Sequence, residues 1–319
     1  METILYDGLA FALPLLVIAI GGIFSERSGI INLALEGLLG FGAFTGAFMV
    51  VMAGNLFPAS QPAGIYIGMF FAMVGGALFA MIHGLLCVHF KANQVISGVV
   101  INILSVSLTA FLTRQLNALL FNQASNRFQL GVANRFTLPL LSDIPVLGAI
   151  FTKVYPFQVV ILLVVGLAYL VFEKTPFGMH LKASGDNPHA VEAAGVNVNR
   201  IRFAAVVISG ALAGLGGISF AYSISANFNP MIYMGYGYLA IAALIFGNWK
   251  ILNTFFAVLF FGFARSAGYE LAKALEMSST FNDIIMTLPY VLTLIILVFF
   301  SKQNAAPRAL GEIYDKGKR

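Results

Sequence analysis

Glu36, Asn93, Gln94, Asn102 and Arg265 are polar or ionisable side chains set within or at the edges of long apolar runs. A charge inside a bilayer is costly, so Glu36 and Arg265 are functional candidates by default. Glu36 lies seven residues past Gly29, about 10 Å along a helix if the stretch between them is helical. From there it can line a pathway or bond a neighbouring helix near the inner end. Arg265 has Glu270 too far round the helix for an i,i+4 pair, and it can snorkel outward. Asn93 and Gln94 open a run that also carries Ser97, Asn102, Ser105 and Ser107. Carboxamides both donate and accept, as the edge of a purine or pyrimidine or a sugar hydroxyl requires. The same groups also serve as glue between membrane helices. Tyr222, Phe228, Tyr233, Tyr236 and Tyr238 offer either a stacking surface for a base or an interfacial aromatic belt. Glu36, Asn93, Gln94, Asn102 and Tyr236 are therefore the candidate pathway residues.

Hydrolytic, redox and metal chemistry find no support in these residue types. His83, His89, His180 and His189 lack metal-ligand spacing. The single Cys87 excludes an intrachain disulfide framework. No catalytic, cofactor-binding or metal-binding residue is expected, and a phosphate loop of the Gly-x-x-x-x-Gly-Lys-Ser/Thr type is absent from the sequence.

The elements that carry these residues are membrane spans. Of 319 residues, 59% are hydrophobic and 10% charged, against the roughly 25% charged residues of a soluble domain. Mean hydropathy is +0.89. Apolar runs of about 20 residues cross a bilayer as helices, and such runs fall near 4–24, 30–53, 63–87, 93–112, 155–172, 203–223, 232–248, 251–271 and 283–300. They are too long and too continuously apolar for a β-barrel. The fold expected is an all-α polytopic membrane protein with about nine (8–10) transmembrane helices. Residues 1–319 form one transmembrane domain. The segment opening Met1-Glu2-Thr3 lacks a basic n-region and reads as a retained span.

Lysine and arginine set the orientation. With the N-terminus outside, twelve fall on the inner side and five outside. That bias puts loop 173–202 and tail 302–319 in the cytoplasm, and 113–154 outside as an extracytoplasmic or re-entrant segment. The +5 net charge fits basic inner loops, with no nucleic-acid partner implied. The short, Gly-rich run 232–248 is the weak point, because re-entry there would move everything on one side of it. Two Gly-interrupted openings, Ser28-Gly29-Ile30-Ile31-Asn32 and Gly235-Tyr236-Gly237-Tyr238-Leu239, form a faint internal pair of the kind that marks transport pathways. Gly42/Gly46, Gly64/Gly68, Ala72/Gly76 and Gly210/Gly214 each share a helix face suited to close packing.

The loop 173–202 contains a short helix legible from its punctuation. Asn187 (or Asp186) suits the N-cap, Pro188 the first helical position and Gly195 the stop, which leaves Pro188 to Ala194. Such a segment is marginal alone. It either caps a plain interhelical loop or docks into a groove on another protein.

Gly185-Asp186-Asn187-Pro188, followed by Ala190-Val191-Glu192-Ala193-Ala194-Gly195, resembles the coupling loop of ABC importer permeases in the branched-chain amino acid, simple sugar and nucleoside group. Ser25-Glu26-Arg27-Ser28-Gly29-Ile30-Ile31-Asn32-Leu33-Ala34-Leu35-Glu36-Gly37 resembles that family's early signature. Ala92 to Asn102 is similar to a central helix of its nucleoside-type members, and Ser209 to Gly217 to the helix after the coupling loop. The matches spread over about residues 20–250, with 113–154 the poorest. The resemblance implies a non-enzymatic subunit of a bacterial cytoplasmic (inner) membrane importer. It assigns Gly185, Asp186, Asn187, Pro188, Glu192, Ala193, Ala194 and Gly195 to ATPase coupling. It implies a separate ATP-binding subunit holding ATP and Mg, a second permease subunit (identical or related), and an extracytoplasmic substrate-binding protein, all in a lipid bilayer. Nucleoside is the substrate it favours, with a simple sugar such as a pentose next. An ion-coupled secondary transporter remains a different class, one that calls for ionisable residues deep in several spans.

Overall fold

The computed structural model describes residues 2–57, 63–140, 142, 148–231, 233–276, 287, 291 and 305–317. Seven helices are long and apolar enough to cross a membrane: α1 (Glu2–Arg27), α2 (Leu35–Leu56), α3 (Gly64–Gly84, prolonged by a π-helical turn Leu85–His89), α4 (Gln94–Phe121), α5 (Pro156–Lys174), α8 (Val198–Ile224) and α10 (Ile251–Ala274). Between α5 and α8 stand α6 (Pro176–Asp186) and α7 (Pro188–Ala193), and α9 (Tyr236–Phe246) precedes α10. The chain is an all-α, multi-pass membrane protein.

The axis of the bundle is the pair α1 and α8. α1 is buried along nearly its whole length, with α10, α9 and α5 packed against it, while α2 and α3 pack on α8. Small residues permit this. A Cβ at Gly42 would overlap the backbone of Gly214, and one at Gly76 the carbonyl of Gly210. The Gly and Ala pairs spaced four apart in the sequence are thus the contact stripes of α2, α3 and α8, where backbones touch without side chains between them.

The chain from α8 to α10 crosses the bundle as a broken element. At the outer end, Asn227–Phe228 (β2) pairs antiparallel with Phe128–Gln129 (β1), Phe128 opposite Phe228. At the inner end, Trp249 donates its indole N–H to Glu26 (2.6 Å) and accepts from Arg27 Nε (3.3 Å). Between these ends α9 has 11 residues, about 16 Å of helix and roughly half the hydrocarbon thickness. The rest of the crossing is irregular backbone. The described residues hold seven membrane-length helices and this shorter apolar one. The ninth expected run, 283–300, lies outside them apart from Thr287 and Val291.

Several boundaries move. α4 runs on to Phe121, where the sequence places a span end at 112, so 113–121 belongs to a helix and not to the outer segment. Thr113 and Asn117 face inward and keep the helix anchored there. Loop 173–202 contains a second helix, α6, started by the Thr175 hydroxyl accepting from Gly178 N–H, with Pro176 at its first position. Residues 28–34 form no continuous helix, so Glu36 does not share a helix face with Gly29.

Candidate functional site

Glu36 stands in the first turn of α2 and reaches the broken crossing. Its two carboxylate oxygens accept from Gly235 N–H (2.5 Å) and Gly237 N–H (2.6 Å). These are orphan donors at the start of α9, the end of a helix that favours an anion. Gly235 has φ +96°, and at Gly237 a Cβ would collide with the backbone of Glu36. Glycine at both positions lets the half-helix approach the carboxylate this closely. The two Gly-interrupted openings noted in the sequence thus meet each other, one supplying the acid and the other the helix end.

The connection from Ser28 to Glu36 is tied on every side. Ile31 N–H donates to Gln94 Oε1 (2.7 Å). Asn32 Nδ2 donates to Ser209 Oγ (2.8 Å). His83 is fully buried, with Nδ1 2.8 Å from Ser97 Oγ and Nε2 3.3 Å from the Ile31 carbonyl. Asn102 is the junction: its Oδ1 accepts from Gly37 N–H (2.7 Å), while its Nδ2 donates to the Leu33 carbonyl (2.8 Å) and Tyr238 Oη (3.0 Å). Ser105 Oγ donates to the Gly37 carbonyl (2.7 Å). Irregular backbone at membrane depth survives only where protein satisfies its polar groups, and here the carboxamides and Ser105 hydroxyl of α4 and the His83 imidazole of α3 do so.

Of the five candidate pathway residues, Glu36, Gln94 and Asn102 gather around this connection. Tyr236 lies beside it, its ring tilted 4.8 Å from Phe220 and edge-on at 5.3 Å to Phe11. Asn93 stands apart as the N-cap of α4, its Oδ1 accepting from Val95 and Ile96 N–H. Arg265 lies over the Phe11 ring at 4.4 Å. Tyr238, Ser209 and His83 join the network without having been assigned to it from sequence. What brings them in is tertiary contact across 136 to 177 residues or, for His83, a neighbouring helix.

The residues that the resemblance assigns to coupling gather on α7 and at the end of α6. Asn187 Oδ1 accepts from Ala190 N–H (3.1 Å), Pro188 opens α7, and Gly195 follows with φ +83°. Pro188 and Val191 are buried, leaving His189, Ala190, Ala193, Ala194 and Gly195 outward with Asp186 and Asn187. Gly185 points inward, where a Cβ would overlap the Arg27 carbonyl. Glu192 turns to the chain's own tail: Oε1 pairs with Lys316 (2.7 Å) and Oε2 accepts from Val198 N–H (3.3 Å). These bonds hold the Glu192 carboxyl below its ordinary value, and the Lys316 amine is raised in return.

The tail is a strap that the sequence does not advertise. Ala309 N–H donates to the Gly185 carbonyl (2.8 Å) and Gly311 N–H to the Gly29 carbonyl (3.0 Å). Asp315 pairs with Lys91 (2.8 Å). Tyr314 packs with Val191 and Val198, 5.2 Å from the His189 ring. Beneath it Arg202, 1% exposed, donates to the carbonyls of Glu312 (3.0 Å) and Ser184 (3.3 Å). α7, the strap and the Ser28–Glu36 connection are thus one continuous set of contacts ending at the half-helix.

Residues 4–299 match the family model described as branched-chain amino acid transport system / permease component. The chain belongs to that permease family. The permease is 37% identical to the guanosine ABC transporter permease protein NupQ of Bacillus subtilis, over 98% of this chain and 96% of that one. It is 35% identical to the nucleoside ABC transporter permease protein NupC of Lactococcus lactis, over 100% and 98%. A putative glucose ABC transporter permease protein of Haloferax volcanii is 26% identical over 96% and 95%. As a permease, the chain is a transport component of the inner membrane and not an enzyme.

Proposed function

We propose that this permease imports a nucleoside by alternating access, driven by a separate ATP-binding subunit that docks on α7. The observation that carries transport is the broken crossing. A half-helix begins at membrane depth with its N-terminus held by one carboxylate, an arrangement recurrent where solutes cross. The outward face of α7 supports docking. It is small and weakly polar, capped at both ends and backed by a strap that leads to Glu36. ATP and Mg belong to the partner on this reading, and an extracytoplasmic binding protein delivers the solute. The substrate assignment is supported by the two full-length nucleoside permease relatives. A second, related permease subunit is supported by a further likeness. The guanosine ABC transporter permease protein NupP of B. subtilis and the nucleoside ABC transporter permease protein NupB of L. lactis match this chain at only 23% and 24%.

The test is uptake of radiolabelled nucleosides into proteoliposomes holding this chain, its co-purifying ATPase, the binding protein and any second permease. A Gly195→Pro variant runs alongside, since proline cannot take the positive φ of that position. ATP-dependent nucleoside uptake, lost in the variant while the complex still assembles, is the expected result. Uptake of a sugar alone would change the substrate and keep the mechanism. Uptake by this chain alone on an ion gradient would overturn the ATP-driven reading.

A further inference from the structure

Tyr238 stands ten residues after Phe228 of β2 and eleven before Trp249, midway in sequence along the broken crossing. It belongs to the first turn of α9, next to the Gly235 and Gly237 N–H groups that Glu36 binds. Its hydroxyl accepts from Nδ2 of the buried Asn102 (3.0 Å). The residue is thus held twice, by α2 through the adjoining backbone and by α4 through the hydroxyl. The ring nevertheless stays 46% exposed. Tyr236, two residues earlier, gives the contrast, with its ring packed on Phe220 and Phe11 inside the bundle. Among the described residues no ring stacks on Tyr238, and no acceptor takes the proton of its hydroxyl.

Tyrosines of an interfacial belt sit at the two ends of a crossing, at the headgroup level. Tyr238 lies between the ends, and its hydroxyl is turned into the protein. A ring set against lipid tails would leave that O–H donor in hydrocarbon without an acceptor, which is costly. Met231 and Met234, on the chain between β2 and α9, are exposed as well, and flexible thioethers adapt to changing neighbours. A free aromatic face with a spare donor, beside the start of a half-helix, suits a flat solute that forms hydrogen bonds.

We propose that Tyr238 is the platform on which this permease stacks the base of its nucleoside at mid-membrane. The inference rests on the nucleoside reading and extends it to one residue. The ring offers its face to the base, and the hydroxyl donates to a ribose oxygen. Because this face is left open by the chain's own helices, the passage runs along the chain's surface, and the second permease subunit closes it. The backbone just before Tyr238 is bonded to Glu36, so a shift of that joint re-aims the ring and releases the base.

The test compares Tyr238→Phe and Tyr238→Leu in proteoliposomes of the assembled complex, at saturating binding protein and nucleoside. Tyr238→Leu removes the stacking face, so uptake should fall at least ~10-fold while ATP hydrolysis continues. Tyr238→Phe keeps the face and loses one hydrogen-bonding group, so uptake should fall only about 2–3-fold. Equal losses in the two variants would make the Asn102 bond the working feature and overturn the platform. Unchanged uptake in Tyr238→Leu, where the unaltered complex imports nucleoside, would overturn it too and leave the function standing. Accessibility is read in parallel on Tyr238→Cys, in a Cys87→Ala background that removes the one native thiol. The reagent is a membrane-impermeant cationic methanethiosulfonate, with the exposed α5 position Leu163→Cys as the lipid-facing control. Labelling at 238 during ATP turnover, absent at 163 and slowed by saturating nucleoside, is the expected result. No labelling at 238 in a complex that hydrolyses ATP would put the ring against lipid and overturn the proposal. Labelling that no solute slows would do the same. Labelling slowed by a sugar and not by a nucleoside would keep the passage and overturn the stacked base.

Discussion

At the end that holds α6 and α7, these helices, the Ser28–Glu36 connection and residues 305–317 are laced by backbone hydrogen bonds, two ion pairs and the buried Arg202 guanidinium. At the other end, β1 and β2 meet over two residues, Asn117 donates to the Ser125 and Arg127 carbonyls, and Phe44, Phe48, Phe128, Phe228 and Tyr233 form an aromatic cluster. Directional bonds hold one geometry and transmit displacement, whereas rings slide past one another at small cost. On the proposed function, the end laced through Arg202 is the transmission, and the end built on the aromatic cluster is the part that opens.

Arg202→Ala strikes the inner lacing hardest. It removes the donor to the buried Ser184 carbonyl and the part-buried Glu312 carbonyl and leaves a cavity under Tyr314, the buried unpaired group costing ~1–3 kcal/mol. Nucleoside uptake by the complex should fall at least ~10-fold, and limited trypsin digestion should release the tail. If Arg202→Ala transports normally, the strap is not part of the transmission. Phe128→Ala addresses the other end. It should leave ATP hydrolysis and the tail's trypsin resistance intact, while raising solute leak in the absence of ATP by a few-fold. An equal loss of ATP coupling would erase the contrast between the ends.

Tyr314→Ala should do less than Arg202→Ala, because it removes packing against Val191 and Val198 but leaves the backbone bonds of Ala309 and Gly311. A modest drop in ATP-coupled uptake, about 2–3-fold, is the expected reading. Smallest is the Glu192–Lys316 pair, which is exposed to solvent. The carboxyl is held low, so its contribution is full above the ordinary carboxylate value and is lost only as pH falls through the depressed one. The amine is held high, so its contribution is full below the ordinary lysine value and is lost only as pH rises through the raised one. Tail protection measured by hydrogen exchange should therefore be flat across neutral pH and weaken only in strong acid or strong base. Lys316→Ala should remove the base step and shrink the acid step, since the Val198 N–H still bonds Glu192, with little change in uptake.

Much of this was legible in the sequence. Long apolar runs gave the crossings, Gly and Ala four apart gave the α2–α3–α8 contacts, and Asn187-Pro188 with Gly195 gave α7. The Thr175-Pro176 start of α6 was available as an N-cap signal. Asn102 was also there, but a carboxamide in a helix reads equally as glue until Tyr238 is seen bonded to it. The strap was not legible, because its bonds are mainly backbone donors, which carry no residue signature. Nor was the pairing of Glu36 with Gly235 and Gly237, across some 200 residues, since a carboxylate near one helix end does not name the helix it will cap.

The joint at Glu36 links the two ends, and one measurement decides its role: nucleoside uptake and ATP hydrolysis on the same proteoliposomes for the complex with Glu36 and with Glu36→Ala. Loss of the carboxylate uncaps the buried start of α9, so uptake should fall at least ~10-fold while hydrolysis continues, an uncoupled machine. If both rates stay unchanged in a variant that folds and assembles, the half-helix is not moved through Glu36, and the transmission proposed here is wrong.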